Sequence, residues 1–282
     1  VRTVEKARAK LNLGLDTPFR HGDGKIEWNM LMTSIDLGDY VEIETQEGEG
    51  ISVNCNRVFL PLDQRNLAYQ AALLLKEKYK MHQQVNIVIR KSIPVAAGMG
   101  GGSSDAAAVI RGLNRLWKLH MTEQEMATFG LQLDSDVPYC VYSKTAMVTG
   151  KGNQIDLMPK LPKMFFVIVK PSVSVSTPEI LNKIDYDALT HVDMNALVKA
   201  VRTQDYDNII EHMGNVLEPL SSSKHAEIKR IKNKFKKYGA DIAQMSGTGP
   251  TVFGVCKTEN QAKRVFNSMR GFCSEVYIVR AL

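Results

Sequence analysis

The residues best suited to do chemistry lie between Pro94 and Ala108, Pro-Val-Ala-Ala-Gly-Met-Gly-Gly-Gly-Ser-Ser-Asp-Ala-Ala-Ala. Gly98, Gly100, Gly101 and Gly102 fall almost together, with Pro94 and Ala97 before them and Ser103 and Ser104 after. Glycine takes positive φ and lets a ligand approach where a Cβ would stand, and serine hydroxyls are good helix N-caps. Ala106 to Leu116 has the pattern of a buried helix, and Val85 to Ile89 alternates as a strand does. Strand, glycine loop and helix start in that order make an anion site, because free N–H groups and the positive helix end converge on one spot. A Cβ at Gly101 is expected to block positive φ and crowd a bound phosphate. The plainer alternative is a tight turn before a helix. Two familiar loops are excluded. No Lys follows the glycines, as a P-loop requires, and counting from Gly98 the last glycine of a dinucleotide fingerprint falls on Ser103.

Three further groups of polar residues stand out. Lys10 and Asn12 lie two apart in a strand-like segment, so they share a face. Asp136 precedes Val-Pro, where a turn aspartate is the plain reading. Ser246-Gly-Thr-Gly249 is a second glycine loop, or a simple glycine hairpin.

The elements that must position these groups can be read in order. Strands are expected at 4–15, 28–35, 41–44, 51–58 and 85–90, and helices at 66–80 and from the glycine loop to about Trp117. Thr122 to Glu125 fits a capping box, and 146–152 reads as a turn. Pro159 to Pro162 reads as a boundary, and 165–170 as a buried strand. Ser176 to Glu179 resembles a helix start with Pro in its first turn. Helices are expected around 193–202, 205–217, 224–238 and 259–270, with strands flanking Ser246 to Val255 and a last strand at 275–279. The second half is thus of α+β type.

The chain has 282 residues, 44% hydrophobic and 23% charged, an ordinary globular balance. No apolar run approaches the roughly 20 residues of a membrane helix. Arg2, Glu5, Lys6, Arg8 and Lys10 leave no apolar core for a secretion signal, so a cytoplasmic protein is expected. Cys55, Cys140, Cys256 and Cys273 are widely spaced and read as reduced core thiols. The net charge of +6 suits an anionic ligand. Much of it lies in 224–237, where Ile228, Ile231 and Phe235 recur at helical spacing. An amphipathic helix with a solvated basic face fits better than a nucleic-acid surface, which lacks interleaved aromatics.

Taken in order, Ala9-Lys-Leu-Asn-Leu13, the glycine loop with Ser103-Ser104, and Met245 to Gly254 resemble the GHMP kinase superfamily of small-molecule kinases. Within it, the motifs are most similar to the branch that phosphorylates a cytidyl-diphosphate-linked polyol for isoprenoid synthesis. The resemblance covers essentially the whole chain. It implies a two-domain α+β fold, with a ribosomal protein S5 domain 2-like N-terminal domain at 1–158 and a ferredoxin-like C-terminal domain at 159–282. It also implies ATP and Mg²⁺, a small-molecule alcohol as acceptor, no membrane, and a monomer or homodimer. Phosphoryl transfer depends mainly on positioning and electrostatics. The resemblance gives the phosphates to Pro94, Ala97, Gly98, Gly100, Gly101, Gly102 and Ser103, and Mg²⁺ to Ser104. Asp136 would act as base with Lys10 as its charged partner, and Asn12 would orient the acceptor. Gly247, Thr248 and Gly249 would line the floor beneath it. Asn66 is open between a helix cap and a contact near adenosine. Asp105 is open between a cap and a neighbour of magnesium.

The chain departs from that branch where the cytosine is held. The branch carries Tyr and His after Asp-Gly, and an aromatic four residues after a Thr. Here these positions are Lys25, Ile26 and, after Thr177, Leu181. Stacking is worth about 1–3 kcal/mol per base, so weak recognition of cytosine is expected unless another group, such as Trp28, replaces it. A different alcohol acceptor, or a homologue that binds nucleotide without catalysis, are the alternatives.

Overall fold

The computed structural model describes Val1–Leu282, which divides into two compact units that interleave along the chain. One unit comprises Val1–Ala9, Leu37–Pro94 and Gly100–Ser143. Its elements come from β1 (Arg2–Asp16), β2 (Trp28–Gln46), β3 (Ile51–Cys55), α1 (Leu67–Tyr79), β4 (Gln84–Arg90), α2 (Gly101–Leu116), α3 (Glu123–Gly130) and α4 (Val137–Tyr142). The strand order is β3-β4-β2-β1, with β3 and β4 parallel across α1 and β2 antiparallel to β4. Asn66 caps α1 by accepting from the Ala68 N–H at 2.9 Å, and Lys80 closes it in the left-handed region. Thr122 and Glu125 form the expected capping box of α3. Small residues let α2 sit close: Ala106, Ala107 and Ala108 are fully buried, and a Cβ on Gly112 would lie 2.2 Å from the Ile43 methyl.

The other unit comprises Lys10–Asp36, Val95–Met99 and Lys144–Leu282. It adds β5 (Ala146–Gly150), β6 (Gln154–Leu157), β7 (Phe165–Lys170), α5 (Thr177–Asn182), α6 (Met194–Arg202), α7 (Tyr206–His212), β8 (Gly214–Asn215), α8 (Glu218–Lys224), α9 (Ala226–Lys237), β9 (Ile242–Met245), β10 (Val252–Cys256), α10 (Glu259–Arg270) and β11 (Glu275–Arg280). β5 pairs with β2 and β6, and β8 pairs parallel with the end of β1. A four-stranded antiparallel sheet runs β11-β7-β10-β9, the ferredoxin-like βαββαβ order. Phe165, Val167 and Val169 pack there with Ile228, Ile231 and Phe235 of α9 and with Val265 and Met269 of α10. The basic run is therefore an amphipathic helix whose apolar stripe is buried. No helix is long and apolar enough to cross a membrane.

Several expectations are corrected. The segments at 28–35 and 41–44 are one strand. Gly38 does not break it but lies where a Cβ would meet the Ala7 carbonyl at 2.6 Å. The strand expected over 51–58 stops at Cys55. Residues 146–150 form β5, and the turn begins only at Gly150, with φ of +68°. The helix expected over 205–217 ends at His212, because Gly214 enters β8 opposite Gly14. Ser103 and Ser104 are inside α2 and do not cap it; Gly100 does, at φ of +69°. Of the four unpaired cysteines, Cys140 and Cys256 are buried, but Cys55 and Cys273 are only half-buried.

Candidate active site

In the second unit, three segments distant in sequence are tied together. The Lys10 N–H donates to the Met99 carbonyl at 3.0 Å, and the Ser246 hydroxyl donates to the Gly98 carbonyl at 3.0 Å. Gly98 has φ of +69°, and a Cβ there would stand 2.4 Å from the Ser246 carbonyl oxygen. Gly247 has φ of +59°, with the Gly98 carbonyl oxygen 3.2 Å and Lys10 Nζ 3.6 Å from where its Cβ would be. Only glycine fits such approaches without strain. Lys10 and Asn12 face each other as the strand period requires, Lys10 Nζ donating to Asn12 Oδ1 at 2.8 Å, and both are buried. Gln244, absent from the sequence-based expectations, binds the carbonyls of Asn12 and Leu13 at 2.9 and 3.2 Å.

In the first unit, the start of α2 supplies the amides expected of a phosphate site. Its first helical bond runs from Ser104 N–H to the Gly100 carbonyl, so the N–H groups of Gly101, Gly102 and Ser103 have no helical acceptor. Gly101 is helical, not at positive φ; the left-handed positions are Gly98 and Gly100. Pro94 and Ala97 are buried in the approach to this turn. Ser103 donates to Asp134 at 3.0 Å, and Asp134 in turn accepts the Asp136 N–H at 2.9 Å. Asp136 is half-buried at the start of α4. The Ser104 hydroxyl is fully buried and donates to the Arg8 carbonyl at 2.7 Å, so in this geometry it does not present an open oxygen to a cation.

Asp105 neither caps the helix nor stands open to a cation. Its carboxylate meets Lys91 Nζ at 2.7 Å, and Lys91 also meets Asp39 at 2.5 Å; all three are buried. Asp39 is well supplied, since its second oxygen accepts the Ser92 and Ile93 N–H groups. The second oxygen of Asp105 is buried without a partner. Burial pushes the Asp105 carboxyl up to about 8; Lys91 opposes that rise and Asp39 adds to it. Burial works against the Lys91 charge, but the two carboxylates outweigh it and hold its pKa above the usual lysine value. A Cβ on Gly101 would lie 3.2 Å from Lys91 Nζ, which places this ion group directly under the helix start. Lys91 and Asp39 could have been found from parity: Asp39 lies on the buried alternation of β2 with Val41 and Ile43, and Lys91, one residue past β4, continues that of Val85, Ile87 and Ile89.

The expected acceptor residues are differently placed. Ile26 is buried, Lys25 is exposed, and Leu181 is half-buried with its carbonyl accepting from Arg20 at 2.8 Å. The hydroxyls of Thr177 and Thr248 are 2.7 Å apart, so the start of α5 is tied to the second glycine loop. Gly249 follows at φ of +88°. Trp28 is half-buried opposite Gly150. Asn66 makes the helix cap described above and also donates to the Pro61 carbonyl at 2.9 Å.

Comparison with known proteins bears on this arrangement. Residues 66–144 match the family model for the GHMP kinases N terminal domain, and residues 197–275 match that for the GHMP kinases C terminal. A protein of Levilactobacillus brevis named 4-diphosphocytidyl-2-C-methyl-D-erythritol kinase is 58% identical over 283 residues, covering 100% of both chains. One of the same name from Pediococcus pentosaceus is 58% identical over 99% of each chain. A crystal structure of 4-(cytidine 5'-diphospho)-2C-methyl-D-erythritol kinase superposes with a TM-score of 0.82 at 27% identity, covering 99% of both chains. Homoserine kinase of Cytophaga hutchinsonii, at 20% identity and a TM-score of 0.81, shares the fold.

Two outcomes follow from the geometry. Gly98→Val adds a side chain at positive φ against the Ser246 carbonyl, so nucleotide affinity measured by calorimetry should fall by at least about tenfold. Unchanged affinity would reduce the loop to a turn. The Asp105 shift also sets a pH dependence. Its carboxyl stays protonated in the folded chain up to about pH 8 but ionises near its ordinary 3.8 when unfolded. The folded state thus binds the extra proton between these values, and the stabilisation present at low pH is lost as pH rises toward 8. Asp105→Asn, which cannot ionise, should remove a slope of up to about 1.4 kcal/mol per pH unit, read as the difference between urea titrations of the two proteins from pH 5 to 8.

Proposed function

The chain belongs to the GHMP kinase family, and from that premise we propose that it transfers the γ-phosphoryl group of ATP to the 2-hydroxyl of 4-diphosphocytidyl-2-C-methyl-D-erythritol, a step of isoprenoid precursor biosynthesis. Full-length relatives 58% identical carry the name of that kinase. The observation that carries the reading is the joining of Lys10, Gly98 and Ser246 by hydrogen bonds, since it assembles polar groups and flexible backbone from three remote segments.

ATP supplies the phosphoryl group, and the glycine loop with the first amides of α2 receives its phosphates. The resemblance implies Mg²⁺ with the nucleotide, but Ser104, whose hydroxyl is committed to the Arg8 carbonyl, does not fit as its ligand. Asp136 takes the proton of the acceptor hydroxyl as the oxygen attacks phosphorus and the bond to ADP breaks. Lys10 favours the ionised form of the acceptor hydroxyl by its charge, and Asn12 holds the Lys10 side chain in place through the 2.8 Å contact. A small-molecule acceptor is sufficient for this chemistry.

Asp136→Asn should lower kcat by about 10²–10⁴-fold with ATP affinity nearly unchanged. Lys10→Ala should do the same, and the double variant should lose much less than the product of the two. Wild-type turnover in Asp136→Asn removes the base role.

Lys25, Ile26 and Leu181 favour a second reading, in which a kinase of this family takes another anionic or polyol acceptor. Steady-state kinetics on the cytidylyl compound beside homoserine and mevalonate separates the two. On the proposed reading the cytidylyl compound alone is turned over efficiently, with a KM toward the upper end of the common range of about 1 μM–1 mM. Lys25→Tyr, Ile26→His and Leu181→Phe together should then lower that KM. Preferred turnover of another alcohol would replace the acceptor assignment.

A further inference from the structure

The chain has two tryptophans, Trp28 and Trp117. The Trp117 indole N–H donates to Gln83 Oε1 at 2.8 Å. That of Trp28 has no acceptor in the protein, although the residue is half-buried, and its ring meets no other ring and no cation. Buried indoles usually pair their N–H, so a half-buried ring with a spare donor suits a group from outside the chain.

Its place follows from strand parity. Asn12 Nδ2 meets Met30 Sδ at 3.5 Å, so Met30 lies on the face of the sheet that carries Lys10 and Asn12. Trp28, two residues before Met30 in β2, shares that face about 7 Å further along the strand. It pairs with Gly150, so no side chain of β5 stands across from it. A molecule held at Lys10 by its reacting hydroxyl can therefore lay its far end on the indole. The strand end that carries the ring is fixed from both sides. The Glu27 N–H donates to the Phe19 carbonyl at 3.0 Å, and the Glu27 carboxylate accepts the Gly150 N–H at 3.0 Å and meets His21 Nε2 at 2.7 Å. A ring on a clamped strand loses little freedom on binding.

We propose that Trp28 is the specificity-determining residue for the far end of the acceptor: its indole stacks on a flat heteroaromatic ring there, and its N–H donates to an oxygen beside that ring. Glu27 and His21 are positioning residues that hold the strand beneath it. The inference rests on the kinase reading above, whose acceptor ends in cytosine. Stacking needs a π-face and not a particular hydrogen-bond pattern, so the indole selects a nucleobase over an aliphatic tail more than one base over another.

Fluorescence isolates the residue, because Trp117→Phe leaves Trp28 as the one indole. In that protein, with saturating ADP in the nucleotide site, cytidine 5'-diphosphate should quench the emission saturably and ribose 5-phosphate should not. In steady-state kinetics, Trp28→Ala should raise the KM for the cytidylyl compound by about 5–150-fold, the range for one stacked base, with kcat and the KM for ATP unchanged. Trp28→Phe, which keeps a ring, should recover most of that loss, and Trp28→Leu, which keeps only apolar volume, should not. Absence of quenching, a wild-type KM in a folded Trp28→Ala, or equal KM values in Trp28→Phe and Trp28→Leu overturns the inference. If the Trp28 variants do not fold, the quenching of Trp117→Phe decides alone. A wild-type enzyme that phosphorylates no alcohol would instead sink the kinase reading, and the quenching would still decide whether Trp28 receives a base.

Discussion

The polar group assembled in the second unit depends on one close approach of backbone to backbone. At Gly98 the Ser246 carbonyl oxygen occupies the neighbourhood where any other residue would place a Cβ, at 2.4 Å. The two loops can meet only because both Gly98 and Gly247 lack side chains and accept positive φ. That contact fixes Ser246 on the Gly98 carbonyl, and the Lys10 N–H on Met99 then locates the first strand against the same turn. The side chains of Lys10 and Asn12 inherit their position from these main-chain bonds. Such positioning suits phosphoryl transfer, in which aligned donors and charges do most of the work.

Under the start of α2 the physical problem is different. A helix N-terminus that is to receive phosphates needs open amides and no uncompensated negative charge beneath it. Asp105 lies one turn into the helix and would supply such a charge. Burial and the neighbouring Asp39 keep a proton on it, while Lys91 bonds both carboxyls. A neutral Asp105 adds no negative charge beneath the helix start. The second oxygen of Asp105 is buried without a partner, whereas Asp39 accepts from three donors.

The parts of this design that the sequence reveals are those where residue type is dictated by geometry. The Lys10–Asn12 parity and the capping box at Thr122 are local requirements, and each is read correctly; of the first loop's glycines, Gly98 and Gly100 take positive φ and Gly101 does not. Gly38 misleads for the same reason, since a glycine that admits a neighbouring strand looks identical in sequence to one that ends an element, whereas the helix expected to run through Gly214 stops before it. Ser103 and Ser104 look like caps, yet Gly100 already occupies that place, and their hydroxyls are used by Asp134 and Arg8, 31 and 96 residues away. Asn215 has no local signal at all. Its two acceptors are 30 and 32 residues away on another element, and β8, which presents it, is two residues long.

The two ends of an acceptor are therefore recognised under unequal constraint. On the proposed reading the reacting end faces main-chain groups, whose positions change only if the fold changes. A nucleobase is recognised by side chains, and a ring or hydrogen-bonding group can be supplied from more than one place on a loop. Lys25, Ile26 and Leu181 stand on such replaceable ground: the segment carrying the first two closes on itself through the Arg20–Ile26 bridge and the His21 N–H to Lys25 carbonyl bond at 2.7 Å. Arg20 then reaches the Leu181 carbonyl, so this segment and α5 hold each other through main-chain acceptors that no substitution at Leu181 removes. The backbone of this region is therefore held without any contribution from the side chains of Lys25 and Leu181.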